Sequence, residues 1–301
     1  MWFKNLRIYT LADDFVLPEN LEQRLSDHAF RPCGRQELAS FGWSSPFGQH
    51  SEVLFHQIGN AYLFCARKEE KVLPAAVVSA EVDEAVNQIE AEQGRKVAGK
   101  EKQNLKEDII HRLLPQAFTR FRLTWGLLDT DLGIVVVDAS AANRAEDFLG
   151  MLRSSFGSLP VKPLFSENPS ELYFTQWLKD GKVPGNFDFG DEVELRDNSD
   201  DGGIVRVRQH ALTGTEIETH LAHGKQATKI GLDWNERLTF VLEHDLAVKR
   251  FKPTDLLIDE QDKLVDATPE QKIDADFALL AGEIRAFYPD LVSLFVERNE
   301  Q

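Results

Sequence analysis

Apolar and polar residues alternate with a period of two from Phe3 to Leu11 (FKNLRIYTL), which predicts a strand with one buried face. After Leu17-Pro18 the spacing becomes helical, with Pro18 in the first turn and Leu21, Leu25 and Phe30 as the apolar stripe. The stretch FRPCGRQELASFGWSSPFGQH is rich in Gly, Pro and Ser, yet its Phe41, Trp43 and Phe47 make it read as an ordered loop pinned by aromatics. Two strand-like runs, Glu52 to Gln57 and Ala61 to Arg67, flank Ile58-Gly59-Asn60 and predict a β-hairpin. Val78, Val82, Val86 and Ile89 then fall at helical spacing, as do Leu105, Ile109, Ile110 and Leu113, so residues 75–114 predict a helical hairpin with its tip between Gly94 and Gly99. FRLTWGLLD and GIVVVD around Thr130-Asp131-Leu132 predict a second β-hairpin, and Ala145, Phe148, Leu149 and Leu152 a helix ended by Gly157.

Ser158 to Pro169, with three prolines, is the linker candidate. Beyond it the pattern predicts a short helix (Leu172 to Leu178), a Gly- and Phe-rich loop (Gly181 to Gly190) and an alternating strand (Gly203 to Gln209). A helix from Thr213 to His223 follows, with Thr213 or Thr215 as N-cap, then a meander of Ala227–Trp234, Glu236–Glu243 and Leu246–Phe251. Phe277, Leu280, Ile284, Leu291 and Phe295 mark a closing helix over 274–296. The fold class is α+β. A central α+β unit (1–74 and 119–165) is interrupted by a projecting helical finger (75–118) and followed by a second α+β region (166–301).

With 301 residues, 42% hydrophobic, and 20 Phe, the chain can bury sizeable cores. MWFKNLRIYTL is no signal peptide, and no run approaches the roughly 18 apolar residues of a membrane helix, which makes the reading a soluble cytoplasmic protein without a membrane partner. Cys33 and Cys65 read as reduced, packed thiols. A net charge of −16 argues against a polyanionic partner unless the charge is segregated, and it is. Asp255 to Gln301 holds twelve acids and four bases, a net of −8, whereas Gly94 to Arg122 holds eight bases and three acids, a net of +5. Arg95, Lys96, Lys100 and Lys102 sit at the finger tip. Arg206 and Arg208 share one face of a strand beside Gln209, and further bases cluster at Lys225 and Lys229, at Lys249, Arg250 and Lys252, and at Arg67, Lys68 and Lys71. Basic positions without a base-reading motif predict backbone contacts, hence DNA binding without sequence preference.

Catalytic motifs are missing. There is no phosphate-binding loop, no GxGxxG, no GxSxG and no zinc spacing. His220 and His223 read as ordinary helix residues, and Asp197 to Arg208 (DNSDDGGIVRVR) as a turn, because Arg208 stands where a calcium loop needs glutamate. Asp129, Asp131 and Asp138 are the one possible two-metal nuclease set, but Asp129 and Asp131 fall at a hairpin end, where Asp serves turn geometry. The expectation is a protein that is not an enzyme and takes no metal or cofactor.

WFKNLRIYTL, FRPCGRQELASFGWSSPFG, FCARKEEKVLP, LLPQAFTRF, SLPVKPL followed by ENP, GLDW and DADFALLAGE resemble the RdgC family of bacterial recombination-associated proteins. These stretches span Trp2 to about Glu283. The resemblance implies a ring-shaped homodimer that encircles duplex DNA, associates with the nucleoid and restrains the RecA recombinase. It also implies helical fingers closing one side of the ring, where Arg95, Lys96, Lys100 and Lys102 fall, and a DNA-facing surface that includes Arg208 and Gln209. Phe118 matches a phenylalanine that holds the dimer together. The tip, GRKVAGK, is less basic and richer in glycine than the family pattern. A competing reading is an acidic interaction protein that acts directly on RecA without needing DNA.

Overall fold

The computed structural model describes residues 1–48, 50–197, 202–261 and 268–296. In chain order these form β1 (Arg7–Leu11), α1 (Leu21–Ser26), β2 (Ala39–Ser44), β3 (Phe55–Ile58), β4 (Ala61–Lys71), α2 (Ala75–Gln93) and α3 (Gly99–Leu113). A 3-10 turn (Leu114–Gln116), β5 (Thr119–Asp129), β6 (Ile134–Val137), α4 (Ala142–Phe156), β7 (Val161–Pro163) and α5 (Ser170–Asp180) come next. The remainder is β8 (Phe187–Arg196), β9 (Ile204–Arg208), α6 (Thr215–Ala222), β10 (Gln226–Trp234), β11 (Leu238–Glu243), β12 (Val248–Pro253), α7 (Asp255–Gln261) and α8 (Pro269–Ser293).

The alternating runs build two antiparallel sheets. The first has the order β2-β4-β5-β6-β1-β7, with β3 paired to β4, and the second the order β12-β11-β10-β8-β9. On one face of the first sheet, α1 and α4 cover a core that contains Trp43, Phe64, Phe148 and Leu152. Its other face contributes Ile8, Leu63, Leu127 and Val136 to a second core, shared with the inner face of the second sheet and with Phe277, Leu280, Ile284 and Phe287 of α8. The two sheets are also stitched by backbone. Leu6 and Val248 exchange hydrogen bonds of 2.8 and 3.0 Å, and the Phe251 amide donates to the Lys4 carbonyl at 2.9 Å. Non-directional burial thus holds the sheets face to face, while these bonds fix their register. α2 and α3 stand apart on a small core of their own, with Val78, Val82 and Ile109 buried.

The mixed α+β class read from the sequence is the class observed, and several elements differ in extent. Pro18 lies outside α1, which starts at Leu21 behind Asn20 in left-handed conformation (φ 58°), and Phe30 instead donates its amide to the Trp43 carbonyl. The aromatic-pinned loop contains a strand, β2, because Gly42 lets the backbone of Phe30 approach; a Cβ there would lie 2.4 Å from Phe30 Cα. The linker candidate carries β7, which pairs with β1. The loop read over 181–190 contains the start of β8, where Gly190 and Gly231 bring two backbones into close contact at a register shift. Neither Thr213 nor Thr215 caps α6; the N-cap is Gly214, with no side-chain cap bond. Residues 198–201, in the stretch the sequence reads as a turn, lie outside the described residues; on either side of them β8 and β9 pair antiparallel, with Arg196 opposite Ile204. Cys33 and Cys65 are free thiols, and burial pushes Cys65 up to about 12.

Candidate nucleic-acid interface

The finger is less basic than its tip reads in sequence. α2 carries Glu81, Asp83, Glu84, Glu90 and Glu92 and no base, so residues 75–113 hold six bases against eight acids. Folding α3 back on α2 pairs these charges across the hairpin: Lys102 with Asp83 at 3.0 Å and Arg112 with Glu81 at 2.5 Å. Arg95 is held in a two-pronged pair by Glu101, at 2.7 and 2.8 Å. That hydrogen-bonded carboxylate raises the Arg95 guanidinium, and Arg95 in turn lowers Glu101. Lys96 and Lys100 are exposed and, among the described residues, have no carboxylate within ion-pair distance. Of the four tip residues, two are therefore free to meet an external anion.

The outer face of the second sheet gathers the other basic residues. The strand register sets a cross-strand row of alternating sign: Arg206, Glu194, Lys229, Glu243, Lys249. Arg206 Nε donates to Glu194 at 2.7 Å, Lys229 approaches Glu243 at 2.8 Å and Lys249 approaches it at 3.4 Å. Burial would raise Glu194, but hydrogen bonds from Arg206, Arg196 and Thr228 prevail and hold it at about 2. In a second row Arg208 Nε lies 3.9 Å from Glu192, which also pairs with Arg250. A hollow of about 400 Å³ lies along these residues, with five bases against three acids in its lining. It adjoins a groove of about 790 Å³ bordered by Gln209, Arg250 and Lys252 and also by Asp191, Glu192 and Asp233. Arg206 and Arg208 are 58% and 70% exposed, so their charges reach solvent while the glutamates beneath them are shielded. Gln209, just past β9, is exposed and in left-handed conformation (φ 53°).

The fold thus brings Arg206, Arg208 and Gln209 together with Lys229, Lys249 and Arg250 on one face; the finger residues Arg95, Lys96, Lys100 and Lys102 belong to another element. Glu192 and Glu194 were missed as part of this surface. Their signal was present, because EVELR and IVRVR alternate with the same period and opposite charge, as facing strands of a charge-matched pair do.

Phe118 is 86% exposed, at the root of the finger, and its carbonyl accepts the Val72 amide at 2.7 Å. Phe121, Leu38 and Val72 are also exposed apolar residues. Arg67 stacks on Phe121 at 4.5 Å and on Phe30 at 4.6 Å.

The three aspartates of the possible nuclease set are engaged elsewhere. Buried Asp129 accepts the amides of Asp131 and Leu132, both at 3.0 Å, and the Arg285 guanidinium at 2.6 Å. Asp138, beyond the far end of β6, accepts the amides of Lys4 and Asn5 at 3.0 and 2.9 Å. Burial raises its pKa. Among the described residues no three His, Cys, Asp or Glu converge in a metal-holding group. His223 Nδ1 lies 2.6 Å from the carbonyl of Thr219, one helical turn earlier. No helix among the described residues is long and apolar enough to cross a membrane.

The chain matches, over residues 1–298, the family model described as "Putative exonuclease, RdgC". It is 44% identical over 294 residues to the recombination-associated protein RdgC of Tolumonas auensis, covering 97% of each chain. It is 43% identical over 293 residues to the proteins of that name from Salmonella paratyphi B and Salmonella typhimurium, again covering 97% of each.

Proposed function

We propose that this chain, which belongs to the RdgC family of recombination-associated proteins, is a non-enzymatic binder of duplex DNA without sequence preference. It encircles DNA as a ring-shaped homodimer in the cytoplasm, on the nucleoid, and restrains recombination by RecA. The observation that carries this reading is the outer face of the second sheet. A chain of net charge −16 presents five bases against three acids along one hollow there, with Arg206 and Arg208 reaching solvent. Ordered charge without a base-reading element recognises phosphates, which all sequences share. Lys96 and Lys100 supply free charge at the finger tip, with Arg95 and Lys102 beside them. The 86% exposure of Phe118, bonded through its carbonyl to the exposed Val72, supports a second copy as its cover, since a large exposed aromatic is a common association anchor. The commitment of Asp129 and Asp138 to backbone amides supports a role other than the exonuclease of the family model's description.

Binding to several unrelated duplexes across a salt titration tests this. Arg206→Glu with Arg208→Glu should weaken all duplexes alike and flatten the salt slope. Mg²⁺-dependent digestion abolished by Asp131→Ala would restore the nuclease reading. Inhibition of RecA that persists in the double variant would instead favour the acidic factor that acts on RecA without DNA.

A further inference from the structure

Glu192 projects from β8 between two arginines of different strands. Its Oε2 faces Arg208 Nε on β9 at 3.9 Å, and its Oε1 pairs with Arg250 Nη2 on β12. β11 and β10 lie between β12 and β8, so the Arg250 side chain must cross both. Gly231 on β10 puts no side chain beside Glu192, where a Cβ would lie 3.2 Å from Glu192 Cγ. Arg250 itself sits at a register shift with φ 51°, a conformation unfavourable for arginine. Two exposed arginines, one of them in a strained backbone conformation, thus meet over an acid only 15% exposed.

Glu192 is thus paired directly with Arg250 and lies 3.9 Å from Arg208, an arrangement of two guanidiniums that a pair of phosphate oxygens would also match. We propose that Arg208, Glu192 and Arg250 form a phosphodiester seat filled by its own carboxylate, which the DNA backbone must displace. The inference rests on the reading that duplex DNA contacts this sheet face. It makes Glu192 a brake that keeps the arginines ordered and the grip on DNA weak. Each displaced phosphate contact then costs the Glu192 pairings, so fewer counterions are released net than the basic residues would allow.

The test is duplex binding by the full chain across a salt titration, comparing Glu192→Gln with Asp180→Asn. Asp180 is an exposed acid at the end of α5, so its removal makes the same change in net charge away from the sheet. Glu192→Gln should raise affinity about tenfold at low salt and steepen the log–log salt slope by about one to two. That gain should vanish when Arg208→Gln and Arg250→Gln are also present. Glu192→Asp, which shortens the reach but keeps the charge, should show a partial gain and guards against misfolding of the Gln variant. If the wild-type chain binds duplexes but Glu192→Gln behaves as Asp180→Asn, the brake is refuted and the DNA reading stands. If the wild-type chain binds no duplex, both fall.

Discussion

Arg95, at the tip of the finger, is held by both carboxylate oxygens of Glu101, at 2.7 and 2.8 Å, and by Gln93 at 2.8 Å. The bidentate geometry fixes the turn between α2 and α3 and leaves Lys96 and Lys100 as the tip charges that, among the described residues, have no carboxylate partner. Reversing those two lysines to glutamate should lower duplex affinity at least about tenfold at low salt and flatten the salt slope by about two. Arg95→Lys, which keeps the charge and loses the fork, should bind DNA within about twofold of wild type while loosening the tip. Equal losses in the two variants would return Arg95 to the interface.

Phe118→Ala should convert the proposed dimer to folded monomers. A side chain 86% exposed contributes little within its own chain, so thermal stability of the monomer should change by no more than about 0.5 kcal/mol. Sedimentation equilibrium reads the result directly, and an unchanged dimer would remove Phe118 from the interface.

The charge row on the second sheet should leave a pH signature. Glu194 lies at about 2, against an ordinary 4.5, because hydrogen bonds from Arg206, Arg196 and Thr228 outweigh the effect of burial. A depressed acid stabilises the fold fully above its unfolded value and loses that contribution as pH falls through its folded one. Glu194→Gln should therefore cost about 1–3 kcal/mol at pH 7, and the two proteins should converge between about pH 4.5 and 2 in urea melts. A difference that stays constant across that range would mean that Glu194 acts by packing alone.

Much of the fold is legible in the residues because periodicity reports burial. The meander β10–β12, the hairpin β5–β6 and helices α2, α3, α4 and α8 all follow apolar spacings visible before folding. The start of β8 does not, because Gly190 is there for a backbone contact with Gly231 some 40 residues away in sequence, and nothing local announces it. β2 is hidden for the same reason: Gly42 is small because Phe30 passes over it. Charge is the harder quantity. Counting from Gly94 to Arg122 makes the tip strongly basic, but α2 lies outside that window and returns Asp83 and Glu81 to Lys102 and Arg112 once the helices fold together. The sheet face is the reverse case. Arg206 and Arg208 are visible in sequence as one face of a strand, while Lys229, Lys249 and Arg250 join them only through the order of the second sheet.

Encirclement of DNA by this chain can be read on a covalently closed duplex circle. Complexes formed on the circle are challenged with high salt, which removes phosphate contacts, and then with a single cut that linearises the DNA. Encirclement predicts complexes that survive salt on the circle and slide off once it is cut. Equal loss from circle and linear DNA at the same salt would contradict the ring and leave an ordinary surface binder.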